Sequence, residues 1–97
     1  MSAVLTIVAR IEAEPDRVDF FRAELLKPIG PTRQEDGCLQ YDLHQDNNDP
    51  SVFVFYENWT SRDLWQVHMN NSHIQEYLKN TEGAVKSFVL NEMKRCD

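Results

Sequence analysis

Residues 51–78 read SVFVFYENWTSRDLWQVHMNNSHIQEYL, and this stretch decides the fold. It opens as a strand in which Phe53, Phe55, Glu57 and Trp59 alternate with Val52, Val54 and Tyr56. Both faces are therefore apolar apart from Glu57. Thr60 or Ser61 is suited to cap a helix, with Asp63 in its first turn. Leu64, Val67 and His68 fall on one side of that helix. Asn70-Asn71 interrupts the pattern, and Ser72-x-x-Gln75 restarts it as a capping box, with Ile74, Tyr77 and Leu78 at helical spacing. A carboxylate, an indole and an imidazole thus arise from one strand and the helix after it, as the floor and wall of a small pocket.

Upstream, residues 4–13 (VLTIVARIEA) read as a strand that is apolar on both faces until Arg10. Pro15 and Asp16 open a helix running to about Lys27, with Val18, Phe21, Leu25 and Leu26 on its apolar side and Phe20 widening the stripe. Pro28, Gly30 and Pro31 stop or kink it, and a further helical turn covers Thr32–Glu35 before Gly37. Residues 38–45 (CLQYDLHQ) form a second strand, with Leu39, Tyr41 and Leu43 on one face. The turn formers at 46–51 join it to the opening strand as a hairpin. Gly83 ends the second helical region. Residues 85–93 (VKSFVLNEM) form the last strand, with Phe88 and Leu90 opposite Val85, Val89 and Met93.

The order β-α-β-β-α-β predicts an α+β fold of the ferredoxin-like, split β-α-β kind, with a four-stranded antiparallel sheet in one domain spanning 1–97. Helices can cover one face of that sheet. Because the strands are apolar on both faces, a second copy is expected to cover the other, giving a homodimer packed through sheet faces.

The composition bounds the function. With 41% hydrophobic and 27% charged residues the chain is globular, and its net charge of −6, with scattered basic residues, argues against nucleic acid. The sequence has no membrane-length apolar segment and no signal-peptide pattern, so a cytoplasmic location is expected. Cys38 and Cys96 form no CxxC pair and are read without a redox role.

The stretch YENWTSRDLWQVHMNNSHI (56–74), together with VARIEAEP (8–15) and EDGCLQY (35–41), resembles the antibiotic biosynthesis monooxygenase (ABM) family over nearly the whole chain. The resemblance implies a dimeric α+β barrel with a pocket between sheet and helices in each protomer. Members include cofactor-independent monooxygenases acting on polyketide phenols or quinols, haem-degrading enzymes, and isomerases of a phosphorylated autoinducer-2 sugar. The haem-degrading branch uses an Asn near the end of the first strand, and Thr6–Arg10 contains none.

Oxygenation without flavin or metal is possible where the substrate supplies the electrons and the protein removes a proton, holds the anion and excludes water. His68 is the candidate base, Trp59 a flat wall with an N–H for an oxyanion, and Glu57 an orienter of His68 or a proton acceptor. Phe53, Phe55, Tyr77 and Phe88 are the candidate substrate-binding residues. Each has a structural alternative: a core histidine, a core indole, a carboxylate that caps a helix or pairs with Arg62, and core aromatics. Trp65 is read as partly exposed or at an interface. His44 is placed at solvent or the pocket rim. His68 and His73 lie about 140° apart on a continuous helix, and no carboxylate or Cys completes a ligand set at useful spacing, so no metal and no cofactor is expected. The alternatives to oxygenation are an isomerase acting on a small, phosphorylated carbonyl compound and a non-catalytic ligand-binding dimer.

Overall fold

A computed structural model describes residues 3–97. Strands β1 (Leu5–Ala13), β2 (Cys38–Gln45), β3 (Val52–Trp59) and β4 (Val85–Met93) form one antiparallel sheet in the order β2-β3-β1-β4. This is the ferredoxin-like arrangement that the element order predicts. Each crossover is two helices instead of one: α1 (Val18–Leu26) and α2 (Ile29–Arg33), then α3 (Arg62–Met69) and α4 (Ser72–Asn80). Pro28 sits at the first break, where a proline is tolerated because N-terminal N–H groups lack helical partners. At the second break the cap lies one residue earlier than the S-x-x-Q pattern implies. Asn71 has extended backbone and its Oδ1 accepts from the Ser72 N–H at 2.9 Å, while Gln75 donates to the Met69 carbonyl.

The inner face of the sheet carries the core. On β1, Leu5, Ile7, Ala9 and Ile11 are buried, and Phe53, Phe55 and Trp59 of β3 lie alongside in register. Phe21 of α1 meets Phe53 edge-on, ring centres 5.9 Å apart. Phe20 and Leu26, expected on the buried stripe of α1, are exposed at 38% and 45%. On α3 the buried residues are Trp65 and His68, and Val67 points to solvent. Trp65, read as partly exposed or at an interface, is buried because the α3 stripe runs one residue off the predicted one. Its indole N–H has no hydrogen-bond partner among the described residues.

Two bulges reverse predicted faces. Pairing of β2 with β3 shifts between Cys38 and Gln40, so Leu39 turns outward while Cys38 packs against the core. Burial, with the negative charges of Glu57 and Glu35 nearby, pushes the Cys38 thiol up to about 11, which makes it a poor nucleophile. On β4 a shift opposite Glu12/Ala13 brings Val85 to the inner side with Phe88 and Leu90. An extra residue in a period-two pattern inverts every side chain before it.

The outer face is left uncovered by the helices. Leu39, Tyr56, Val89 and Met93 stand exposed there.

Gly37 closes the turn before β2 with φ +85°, and its carbonyl accepts from the Thr60 N–H at 2.9 Å. A Cβ at this position would lie 2.6 Å from Leu64 Cδ1 and 2.9 Å from Thr60 Oγ1. Gly83 has φ +84° but open space around it. Both Ala variants incur left-handed strain of about 1 kcal/mol, and only Gly37→Ala adds overpacking of at least that size. The expected loss is about 2 kcal/mol for Gly37→Ala and about half of that for Gly83→Ala. Urea denaturation of the two variants checks the order, and equal losses would remove the packing argument.

Candidate active site

A cavity of about 250 Å³ lies between the inner sheet face and helices α3 and α4. Its walls are largely apolar and aromatic, including Ile11, Tyr41, Phe55, Tyr77, Phe88 and Leu90. Glu57 and His68 lie in its interior with the phenols of Tyr41 and Tyr77, Thr81 and Glu82 line it near the α4–β4 turn, and no arginine or lysine is among the lining residues.

Glu57 occupies its place because β3 alternates: it shares the inner face with Phe55 and Trp59 and pairs with Ile7 and Tyr41 on the neighbouring strands. It is 5% exposed, and its Oε1 accepts from the Trp59 indole N–H at 3.0 Å. Among the described residues it has no ion pair; Arg62 pairs instead with Glu92 at 2.6 Å. Burial pushes its carboxyl up to about 7, against the pull of the Trp59 bond and with a further push from the charge of Glu35.

Trp59 is fully buried and does not line the cavity. Its N–H is spent on Glu57 and its ring lies against His68, centroids 4.8 Å apart. The indole therefore backs the two polar groups and presents neither a wall nor a donor to a ligand. Phe53 is likewise packed against Phe21 and away from the cavity. Phe55, Tyr77 and Phe88 do line it.

His68 sits in the last turn of α3, 2% exposed by its side chain. Its orienting partner is Glu35 and not Glu57: Nδ1 lies 2.8 Å from Glu35 Oε2. Although burial alone would raise the Glu35 carboxyl, bonds from His68 and Asn71 outweigh it and hold the group below its ordinary value. An ionised Glu35 requires the proton of neutral His68 to be on Nδ1, which leaves the Nε2 lone pair, without a partner among the described residues, for the cavity that the ring lines. Burial lowers the His68 pKa, with Glu35 opposing, so the ring is neutral and able to accept a proton.

Sequence spacing does not reveal Glu35, because its contact with His68 spans 33 residues of chain. It stands in the turn after α2, fixed by its backbone bond to the Thr32 carbonyl and by Asn71, which donates to Oε1 at 3.1 Å. Tyr41 lines the cavity and is not among the candidate site residues read from the sequence. It stacks on Phe55 at 4.8 Å, and burial raises its phenol far enough to keep it protonated. His73 also reaches this cluster, with Nε2 3.1 Å from both Glu35 Oε2 and Thr32 Oγ1. His44 is exposed and does not line the cavity.

Comparison with known proteins follows the same lines. The chain is 35% identical to the Mycobacterium tuberculosis protein named "Putative monooxygenase Rv0793" over 77 residues, 79% of this chain and 75% of that one. It is 27% identical to the Synechocystis protein sll1783 over 77% of its own length, but spans only about half (51%) of that relative. The crystal structure of PA3566 from Pseudomonas aeruginosa superposes with a TM-score of 0.94 at 33% identity, covering 100% of this chain and 98% of that one. The model of the family "Antibiotic biosynthesis monooxygenase" matches residues 4–80, the span that holds Glu35, Glu57 and His68. The chain belongs to the antibiotic biosynthesis monooxygenase family.

Proposed function

We propose that this protein is a cofactor-independent monooxygenase acting on a small, uncharged quinol or hydroxylated aromatic. The observation that carries the reading is a carboxylate-oriented histidine, Glu35–His68, opening on an aromatic cavity that also holds a buried carboxyl raised to about 7, so that its protonated form is well populated at neutral pH. An apolar cavity of about 150 Å³ accepts benzene, so about 250 Å³ suits one or two fused rings.

The chemistry follows from the groups. His68 Nε2 takes the hydroxyl proton, and the aromatic walls hold the resulting anion away from water. The electron-rich ring carbon bonds dioxygen, giving a peroxide anion. Glu57 in its protonated form donates to the distal peroxide oxygen. Loss of the carbon-bound hydrogen as a proton then breaks the O–O bond, leaving a new carbonyl and releasing water. Overall SH2 + O2 gives S=O + H2O, with all four electrons from the substrate.

A phosphorylated sugar calls for cationic side chains, and the lining residues supply none, so the isomerase alternative gains no support. We also infer a homodimer through the outer sheet faces, on the strength of the exposed Leu39, Tyr56, Val89 and Met93. A monomer by light scattering at micromolar concentration would contradict it. For the cytoplasmic location inferred from the sequence, the structure adds that no helix among the described residues is long and apolar enough to cross a membrane.

The test is oxygen uptake under air with a panel of one- and two-ring quinols. Uptake above the uncatalysed rate, retained by His44→Ala, is the expected result. No acceleration with any quinol would overturn the reading.

A further inference from the structure

The spacing argument leaves the two helix histidines without a carboxylate ligand; the fold supplies one. Glu35, from the turn after α2, places Oε2 2.8 Å from His68 Nδ1 and 3.1 Å from His73 Nε2. The break at Asn70-Asn71 is what turns His73, at the start of α4, toward the end of α3. The three ligand atoms lie within 4.8 Å of one another. Donor atoms about 2.1 Å from a shared ion are separated by roughly 3.0–3.4 Å; the two carboxylate–imidazole distances are close to that range, and the two nitrogens, within 4.8 Å of each other, draw in when an ion sits between them.

Two features go beyond a hydrogen-bonded triad. Both imidazole nitrogens converge on one carboxylate oxygen from separate helices, while the other oxygen is held by Asn71 Nδ2 at 3.1 Å, the outer-shell support that ligating carboxylates carry. The cluster also has room beside it. His73 lines a second cleft of about 140 Å³ with Glu24, Glu76 and Lys27, where further donors or water can complete a coordination sphere, while the main cavity lies on the Nε2 side of His68.

We propose that Glu35, His68 and His73 form a binding site for a divalent transition-metal ion. Two neutral imidazoles and one carboxylate are a donor set that zinc, cobalt and ferrous ions accept, and that magnesium and calcium, which favour oxygen, do not. The site goes beyond the oxygenase reading and opposes it in one respect. A metal on Nδ1 places the His68 proton on Nε2, so a loaded protein no longer accepts a proton there. The ion acts as an off-switch for the base.

The test is binding of Zn²⁺ by calorimetry and of Co²⁺ by its visible absorption, using chelator-treated full-length protein. The wild type is to be compared with Glu35→Gln, His73→Ala, and the control variants His44→Ala and Cys96→Ser. One Zn²⁺ per chain is expected, weakened at least tenfold by Glu35→Gln and by His73→Ala and unchanged by the two controls. Co²⁺ should give d–d bands in the wild type that both cluster variants lose. Absence of stoichiometric binding, or equal affinity in the cluster variants, overturns the proposal and shows an adventitious ion only. Both readouts are independent of turnover, so inactivity toward every quinol would sink the oxygenase reading and leave this result standing. Where quinol oxidation is seen, Zn²⁺ should suppress it in the wild type, and His73→Ala should need at least tenfold more Zn²⁺ for the same suppression.

Discussion

Glu57→Gln is expected to make the protein more stable than the wild type by about 3 kcal/mol at pH 8.5 and by less than about 1 kcal/mol at pH 5. The folded carboxyl sits at about 7 against an ordinary value of 4.5. A group whose folded pKa is raised contributes its full stability below the unfolded value and loses it as pH rises through the folded value. The loss here runs from about pH 4.5 to above pH 7. A gap of about 2.5 units, at roughly 1.4 kcal/mol each, sets the size. Glutamine has the same shape, keeps an oxygen for the Trp59 N–H, and never ionises. His68 has a lowered pKa and so opposes folding on the acid side, but it does so equally in both proteins and cancels from the difference. For a chain of this size the alkaline difference corresponds to a Tm rise of roughly 12 °C or more. Thermal melts of the two proteins across pH 5–9 check it. A difference that stays constant with pH would show that Glu57 is solvated and ionised throughout.

The same variant should oxygenate more slowly, because the amide has no proton to give to a peroxide. A residue that lowers stability at working pH while facing an apolar cavity is the signature of a group kept for chemistry.

The alternation of β1 and β3 made the sheet and its topology legible from sequence and put Glu57 and Trp59 on one face, but it does not say whether that face meets the helices or a second copy. Period-two patterning under burial admits one register. What alternation could not carry were the two bulges, since one inserted residue reverses a face without leaving a distinctive residue behind. Leu39 and Val85 lie on the sides opposite to those the alternation predicts for that reason. The helix breaks were visible as Pro28 and Asn70-Asn71, but the turn angle they impose was not. That angle brings Glu35, His68 and His73 together across 33 and 38 residues of chain. Trp59 was recognised as important for the wrong contact: its indole serves Glu57 and His68 from behind. Side chains that act on one another through the core have no signal in local spacing.

His68→Ala should lower kcat for quinol oxygenation by about 10²- to 10⁴-fold in metal-free buffer, the usual contribution of a positioned proton acceptor. That loss corresponds to roughly 3–5 kcal/mol of barrier. Glu35→Gln should cost about ten- to a hundredfold, because the amide no longer fixes the imidazole tautomer or offsets its positive charge. The decisive measurement is the double variant. If Glu35 acts through His68, then once His68 is gone there is nothing left for it to orient, and Glu35→Gln/His68→Ala should be no slower than His68→Ala alone. Multiplicative losses would instead give Glu35 a role of its own. Added imidazole, small enough for the space left by His68→Ala, should restore part of the rate where Glu35 is intact and less where it is glutamine. A melting curve for each variant separates these losses from unfolding, since removing His68 leaves the Glu35 carboxylate, 11% exposed, without its shortest bond.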